Sequence, residues 1–329
     1  MQKNYTISLL RFIATIFIVS CHMLHYYDLE LTWWLNVGVQ MFFCISGYLY
    51  GNKRISEPMR FLGSNFRKIL VPYYCFLLPI FVLYFLFQRN SLSLGAMAGA
   101  LVTSGVLDGL GHLWFISYIL VCYLLTPYLQ YLADKMRKLN WYSYLLVFAT
   151  LMAVAQVATE LFGSYFAFHR LFCYIFGYFA AVFLQSYGEK VFKILVYILA
   201  GVTVVMNAAR FYGKYILLIQ SGIFDAFVAY AHAFLGVSIV LVFVVLVKGI
   251  RKNALLELSD KYSFFVYIVH QLFILSPFHL MALTDHMVLN WGITLVAILL
   301  SAVLLKQLSG VVEAGFLRLV NWVKPKLYS

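Results

Sequence analysis

Charged residues are scarce in this sequence. Asp, Glu, Lys and Arg make up 11% of its 329 residues, and hydrophobic residues make up 64%. A soluble domain normally carries roughly 25% charged residues. The mean hydropathy is +0.89. This composition excludes a soluble globular domain and predicts an all-α polytopic membrane protein.

The usual patterns of disulfide and metal sites are also missing. The five cysteines are an odd number, include no CxxC pair and all lie in apolar runs, so we interpret them as buried small hydrophobic residues. The sequence contains no HExxH, no cysteine cluster and no DxDxDG loop, which are typical zinc and calcium patterns. We therefore expect no metal site.

Nothing in the sequence divides the chain. It has no long hydrophilic run, no internal repeat and no linker rich in Pro, Gly or Ser. Domain boundaries normally fall in such exposed and flexible stretches. We therefore expect residues 1–329 to form a single membrane-embedded domain.

Ten apolar windows of about 20 residues are long enough to cross a bilayer. With the N-terminus in the cytoplasm, most of the 24 Lys and Arg residues lie on the cytoplasmic side, as in bacterial inner-membrane proteins. This topology places both termini in the cytoplasm. It explains the net charge of +12 without a nucleic acid partner. The windows are near residues 7–26, 33–51, 69–88, 112–132, 142–160, 169–187, 191–209, 225–247, 258–277 and 288–308.

Two further stretches do not fit as membrane spans. Counting residues 91–110 as a span would move the basic residues at 135–138 to the outside. We therefore expect an outer-face loop or re-entrant segment there. We interpret residues 210–224 as an external connection, which puts Arg210 outside.

Two ionisable residues interrupt the first apolar window. Arg11 and His22 are eleven positions apart, which on a helix places them on one face, roughly 20° apart around the axis and ~16 Å apart along it. Ionisable groups inside a membrane span are costly and usually face the protein interior. Both are therefore candidate functional residues. An alternative stays open for Arg11, whose long side chain could simply extend to the cytoplasmic surface.

His22 is the candidate general base. A hydroxyl is a poor nucleophile near neutral pH, and imidazole is the side chain that titrates closest to neutrality. His25 lies three residues further along and shares roughly the same face of the helix. It is the second candidate for this role.

Five short motifs, in order along the chain, resemble the acyltransferase 3 family of integral-membrane O-acyltransferases. Members of this family modify bacterial surface glycans and some small molecules. Two features depart from the family pattern: Asn65 and Lys68 flank Arg67 where the family has paired arginines before the third helix, and Glu313, which resembles a family acidic position, is not followed by proline. The motifs are RFIATIFIVSCH from Arg11 to His22, FFCISG at 42–47, FRKILVPYY at 66–74, HLWF at 112–115 and YIVH at 267–270.

The resemblance implies an O-acetyltransferase of the bacterial cytoplasmic membrane, as a stand-alone member without an SGNH hydrolase domain. It implies cytoplasmic acetyl-CoA as acyl donor and a hydroxyl of a cell-surface glycan, or of its lipid-linked precursor, as acceptor. Acyl-CoA is polyanionic, so we predict that Arg11, Arg67 and Lys68 bind its phosphates. We predict that four residues contact the substrate: His112, Trp114, Tyr267 and His270.

Several alternatives stay open at this stage. Arg67 and Lys68 could serve only as topology signals, and the aromatic residues could be interfacial or core residues. A proton-coupled transporter or glycan flippase would use intramembrane His and Arg as relay groups. An acyltransferase for a small molecule or a lipid would share the same core. The sequence leaves open whether the acyl group passes directly to the acceptor or rests on a side chain.

Overall fold

The computed structural model describes residues 4–87, 93–102, 107, 109–137, 140–162, 169–275 and 278–327. These residues form eleven α-helices and two short 3-10 turns, and no β-strand occurs among them. The helices are α1 (Tyr5–His25), α2 (Thr32–Leu35), α3 (Gly38–Gly51), α4 (Pro58–Phe87), α5 (Leu94–Leu101), α6 (Trp114–Met136), α7 (Trp141–Phe162), α8 (His169–Tyr215), α9 (Gly222–Leu246), α10 (Ala254–Ile274) and α11 (Met287–Leu327).

Within the described residues, seven helices are long and apolar enough to cross a membrane: α1, α4, α6, α7, α8, α9 and α11. The described residues of the ten predicted windows lie mostly on helices, but not one window to one helix. Helix α8 contains two of them, separated at Gly188, where φ is 78° and ψ is 172°. Helix α3 has only 14 residues, and α10 begins with the charged residues Glu257, Asp260 and Lys261. The count of ten spans and the orientation of the termini stay predictions.

The two stretches outside the windows are partly helical. Residues 91–110 contain α5, whose eight residues extend only ~12 Å and cannot cross a bilayer. The prediction for residues 210–224 was wrong in part, because α8 continues to Tyr215 and α9 begins at Gly222. Arg210 is fully buried instead of lying in an external connection. Its Nη1 donates to Asn207 Oδ1 at 3.0 Å, and its guanidinium carbon lies 5.3 Å from the Trp34 ring centroid.

The chain divides into two compact units. Unit 1 comprises residues 1–18, 34–58 and 121–260, and unit 2 comprises residues 19–33, 59–120 and 261–329. Helix α1 therefore contributes its first part to unit 1 and its last part to unit 2. The expectation of one domain over residues 1–329 stays a prediction.

In unit 1, α3 packs on the first half of α8 through a pair of glycines. A Cβ atom on Gly47 would lie 1.9 Å from Tyr174 O, and one on Gly177 would lie 2.2 Å from Cys44 O. Only glycine allows two helix backbones to approach this closely. The glycine of the FFCISG motif therefore has a packing role.

In unit 2, the connection between α10 and α11 is fixed by polar contacts. The Asn290 side-chain amide donates to Met281 O at 3.0 Å and to Thr284 O at 2.7 Å. The Tyr27 hydroxyl also donates to Met281 O, at 3.1 Å. These bonds satisfy backbone carbonyls of the segment before α11, and they anchor Tyr27, two residues beyond α1, to this segment.

Candidate functional site

Three histidines come together in unit 2. His22 lies near the end of α1, His112 in the turn before α6, and His270 in α10. The ring centroids of His22 and His270 are 5.1 Å apart, and those of His112 and His270 are 4.6 Å apart. His22 is half-buried, whereas His112 and His270 are buried. The histidine cluster, defined as these three residues, thus joins the predicted base to two predicted substrate-binding residues.

Gln271 connects two members of the histidine cluster. Its Oε1 accepts a hydrogen bond from the His112 backbone N–H at 3.3 Å. Its Nε2 lies 3.2 Å from Nδ1 and 3.1 Å from Nε2 of His22. Because Oε1 is engaged by a donor, the amide nitrogen is the group that faces His22, and an amide nitrogen can only donate. The amide lies close to both ring nitrogens of His22, so the ring nitrogen that carries the lone pair accepts this hydrogen bond.

Backbone carbonyls select the neutral tautomers of the other two rings. His112 Nε2 lies 3.0 Å from Ile268 O, and His270 Nδ1 lies 2.6 Å from Tyr267 O. A carbonyl oxygen only accepts, so these ring nitrogens carry the hydrogen in the neutral imidazole. The lone pairs then lie on His112 Nδ1 and His270 Nε2. Both atoms are buried without a hydrogen-bond partner in the described part of the chain, so each has an unused capacity to accept one hydrogen bond.

Tyr267 supports the histidine cluster. Its hydroxyl donates to the backbone carbonyl of His112. Its ring centroid lies 5.4 Å from that of His112 and 5.0 Å from that of Phe115. The hydroxyl therefore fixes the turn that carries His112.

Arg11 lies in a second cluster, in unit 1. Its Nη1 is 3.2 Å from Asp260 Oδ1, and the two side chains are 32% and 13% exposed. The other carboxylate oxygen of Asp260 accepts from Ser8 Oγ at 2.6 Å. The ionic cluster, defined as Ser8, Arg11 and Asp260, thus compensates the arginine charge with a carboxylate. Arg11 is held by α10, which disfavours the alternative that it only extends to the surface.

The two other predicted phosphate ligands lie on α4 in unit 2. Arg67 Nε is 2.9 Å from Glu313 Oε1 on α11, and the two side chains are 31% and 38% exposed. Lys68 is exposed. The structure thus pairs Arg67 with Glu313, the acidic residue that was noted as part of the family pattern.

The comparisons with known proteins agree with these motifs. A family model described as an acyltransferase domain matches residues 4–306 of the chain. The chain belongs to the acyltransferase 3 family. No curated protein and no solved structure matches it. This acyltransferase 3 member is therefore a multi-pass membrane acyltransferase, and the predicted resemblance is confirmed.

The acyltransferase 3 motifs are distributed over both clusters. The first motif supplies Arg11 to the ionic cluster and His22 to the histidine cluster. The HLWF and YIVH motifs supply His112 and His270 to the histidine cluster, and Tyr267 of YIVH supports it. Trp114, also in HLWF, is half-buried and packs edge to face on Tyr118, with centroids 5.3 Å apart. His25 is exposed at the end of α1. The roles predicted for all of these residues stay predictions.

Two residues of the site were not predicted from the sequence. Asp260 is a carboxylate inside a predicted span, and an intramembrane carboxylate is by itself a signal of function. Gln271 directly follows the YIVH motif, but a neutral amide gives no charge signal.

In the described residues, no group of three or more His, Cys, Asp or Glu side chains is arranged to hold a metal ion.

Proposed function

We propose that this acyltransferase is an O-acetyltransferase of the bacterial cytoplasmic membrane. It takes the acetyl group from cytoplasmic acetyl-CoA. The acceptor is a hydroxyl of a cell-surface glycan or of its lipid-linked precursor. The histidine cluster is the single observation that carries this proposal, because acyl transfer to a hydroxyl needs a base that works near neutral pH.

His22 is the base in this proposal. The acceptor hydroxyl displaces the Gln271 amide from the lone pair of His22 and gives its proton to this lone pair as its oxygen forms a bond to the carbonyl carbon of the thioester. The C–S bond then breaks, and the CoA thiolate takes the proton from the imidazolium. The proton balance is zero, so one imidazole can serve in both steps.

The surroundings of His22 suit a polyhydroxyl acceptor. The neighbours that contact its ring in the described residues include the Gln271 amide and the His270 ring. In this proposal, an acceptor that enters the cluster donates further hydroxyl hydrogen bonds to the lone pairs of His112 Nδ1 and His270 Nε2. A sugar presents several hydroxyls on adjacent carbons, which supports a glycan.

The basic residues support a CoA thioester as the donor. Arg67 and Lys68 are adjacent on α4, at the end that the topology prediction places in the cytoplasm, where acyl-CoA is made. A guanidinium has five N–H donors, so the contact of Arg11 Nη1 with Asp260 does not use all of its donors. The first part of α1 can therefore contribute to phosphate binding.

The test is an acetyl-CoA consumption assay on purified protein in liposomes, with and without a polysaccharide or lipid-linked glycan acceptor. We expect wild type to release CoA and to transfer the acetyl group when the acceptor is present. We expect His22→Ala and Arg11→Ala to abolish this transfer while size-exclusion profiles show that both variants remain folded. His286→Ala is the matched control, because His286 is an exposed histidine between α10 and α11.

Two outcomes would contradict the proposal. Full activity in His22→Ala would remove this residue from the mechanism. Failure of wild type to consume acetyl-CoA with any hydroxyl acceptor would contradict the proposed reaction itself. Transfer only to a small molecule or a lipid would replace the glycan as the acceptor and leave the base assignment intact.

A further inference from the structure

An apolar crevice lies between α7 and α8 in unit 1. Its volume is about 220 Å³. The wall consists of hydrophobic side chains of α7, of both halves of α8 and of the end of α9. Residues that define it are Leu145, Phe148, Phe179, Phe183, Leu199 and Val202.

The crevice is open on one side. Leu145 and Ile198 on its wall are 55% and 57% exposed, whereas Phe179 is fully buried at its base. Helix α7 packs little against the protein, because only 6% of its apolar window is buried, compared with 50% for α1. Since α7 and α8 are long and apolar enough to span a membrane, we expect the open side to face hydrocarbon.

One end of the crevice adjoins a charged cavity. This cavity has a volume of about 270 Å³ and shares Phe192 with the crevice. It lies at the break at Gly188 and is lined by Glu189 and Lys248. Glu189 forms ion pairs with Lys248 and, at 2.6 Å, with Lys193. Two lysines share one carboxylate there, so the net charge is positive.

The length of the crevice corresponds to one leaflet. From Phe192, next to the charges, to Val202 is ten residues of α8, or ~15 Å. The hydrocarbon core is ~30 Å thick, so the crevice extends about half-way across it. An acyl chain would therefore fit along the crevice while its headgroup lies at the lysines.

We propose that unit 1 binds one anionic phospholipid of the surrounding membrane. Its phosphate lies at Lys193 and Lys248, and one acyl chain lies in the crevice between α7 and α8. Basic pockets between membrane helices on the cytoplasmic side suit anionic headgroups, and the positive-inside prediction places this end there. The site is independent of the acyl-transfer reaction.

The first experiment measures lipid binding by native mass spectrometry of delipidated protein. The probes are phosphatidylglycerol and phosphatidylcholine with identical acyl chains. We expect one phosphatidylglycerol to bind with higher affinity, and glycerol phosphate alone not to displace it. Equal affinities for the two lipids, or displacement by glycerol phosphate alone, would overturn the proposal.

Charge variants test the headgroup position. We expect Lys193→Gln and Lys248→Gln each to raise the Kd for phosphatidylglycerol about five-fold, as for loss of one lysine near a membrane surface. Glu189→Gln should lower it, because it removes the carboxylate that competes for both lysines. A purely structural role of this ion-pair cluster would not give opposite signs. Lys214→Gln, near the other end of α8, is the control, and an unchanged Kd in all three test variants would overturn the proposal.

A steric variant tests the acyl-chain position. Ala180 lines the crevice and is 6% exposed, so Ala180→Phe should fill it and reduce lipid binding at least ten-fold. The control is Val205→Phe, which adds the same ring to α8 at a position that is 69% exposed and does not line the crevice. If Ala180→Phe does not fold, Ile198→Trp takes its place. Undiminished binding of phosphatidylglycerol to the steric variant would overturn the proposal. A dimer without bound lipid in the mass spectrum would also overturn it, because a second copy of the chain would then occupy the crevice.

Discussion

Helix α1 carries Arg11 and His22 into chemically opposite surroundings. In the ionic cluster, Arg11 contacts the negatively charged carboxylate of Asp260, and the Ser8 hydroxyl donates a hydrogen bond to the other oxygen of that carboxylate. In the histidine cluster, His22 meets an amide and other imidazoles. The difference indicates that the first region is suited to holding charge in place, and the second to exchanging a proton.

This contrast follows from what each side chain can do. A guanidinium does not lose its proton in a protein, so its burial is costly, and for Arg11 the carboxylate of Asp260 offsets this cost. An imidazole can be neutral, and it then needs only hydrogen-bond partners. Backbone carbonyls and one amide supply these partners for the histidine cluster, so its rings can be packed without a carboxylate.

The largest expected effect concerns the coupling of Arg11 with Asp260. Because the pair is partly buried, we expect Arg11→Ala and Asp260→Ala to show a coupling energy of about 1–2 kcal/mol, between the values for exposed and for buried pairs. A double-mutant cycle in a mixed-detergent unfolding titration measures it. Thr15→Val, which removes a side-chain bond to Arg11 O, is the control and should be additive with Asp260→Ala. Additive effects of Arg11→Ala and Asp260→Ala would contradict an ionic cluster.

The second prediction concerns Gln271. We expect Gln271→Ala to lower kcat about two- to ten-fold, which corresponds to the loss of one ordinary hydrogen bond, because His22 and the His112 turn lose their common partner. The KM for acetyl-CoA should not change, since Gln271 is not among the proposed phosphate ligands. Steady-state kinetics on the variant measure both constants. The control is Gln156→Ala, whose amide donates to Glu160 on α7. A change confined to KM would argue against a role of Gln271 at His22.

The sequence predicted the helical class because long apolar windows can be recognised from hydropathy alone. It also predicted the three residues of the histidine cluster, because each lies in a short motif that resembles the family pattern. Asp260 could have been found, since a carboxylate in an apolar window is rare. Gln271 could not, because an uncharged amide alters neither hydropathy nor charge. The burial of Arg210 was also invisible, because RFYGK has the composition of a connection and only the contacts with Asn207 and Trp34 show otherwise.

The helix count was harder to predict for a physical reason. A window of apolar residues indicates burial in hydrocarbon or in protein, and hydropathy does not distinguish the two. Helix α3 is apolar because it packs on α8 through Gly47 and Gly177, although its 14 residues extend only ~21 Å. Helix α10 has charges in its first part because Asp260 pairs with Arg11.

The third prediction concerns the exposed pair of Arg67 and Glu313, which is the surface counterpart of the ionic cluster. Since both side chains are about one-third exposed, we expect Glu313→Gln to change the free energy of unfolding by no more than ~1 kcal/mol. Arg67→Gln should have the same small effect on stability but should raise the KM for acetyl-CoA. Unfolding titrations and steady-state kinetics separate the two. Equal KM values for Arg67→Gln and wild type would remove Arg67 from donor binding.

The smallest expected effect is that of His25→Ala, which separates the two histidines at the end of α1. His25 is exposed, whereas His22 contacts Gln271 and His270. A general base must be fixed within hydrogen-bond reach of the proton that it accepts, so an exposed ring should contribute little. We expect kcat to stay within about two-fold of wild type, the smallest effect of a lost hydrogen bond, in the acetyl-CoA assay. A loss as large as that of His22→Ala would instead make His25 a candidate for the base. The histidine cluster would then no longer be the site of proton transfer, and its contrast with the ionic cluster would lose its functional meaning.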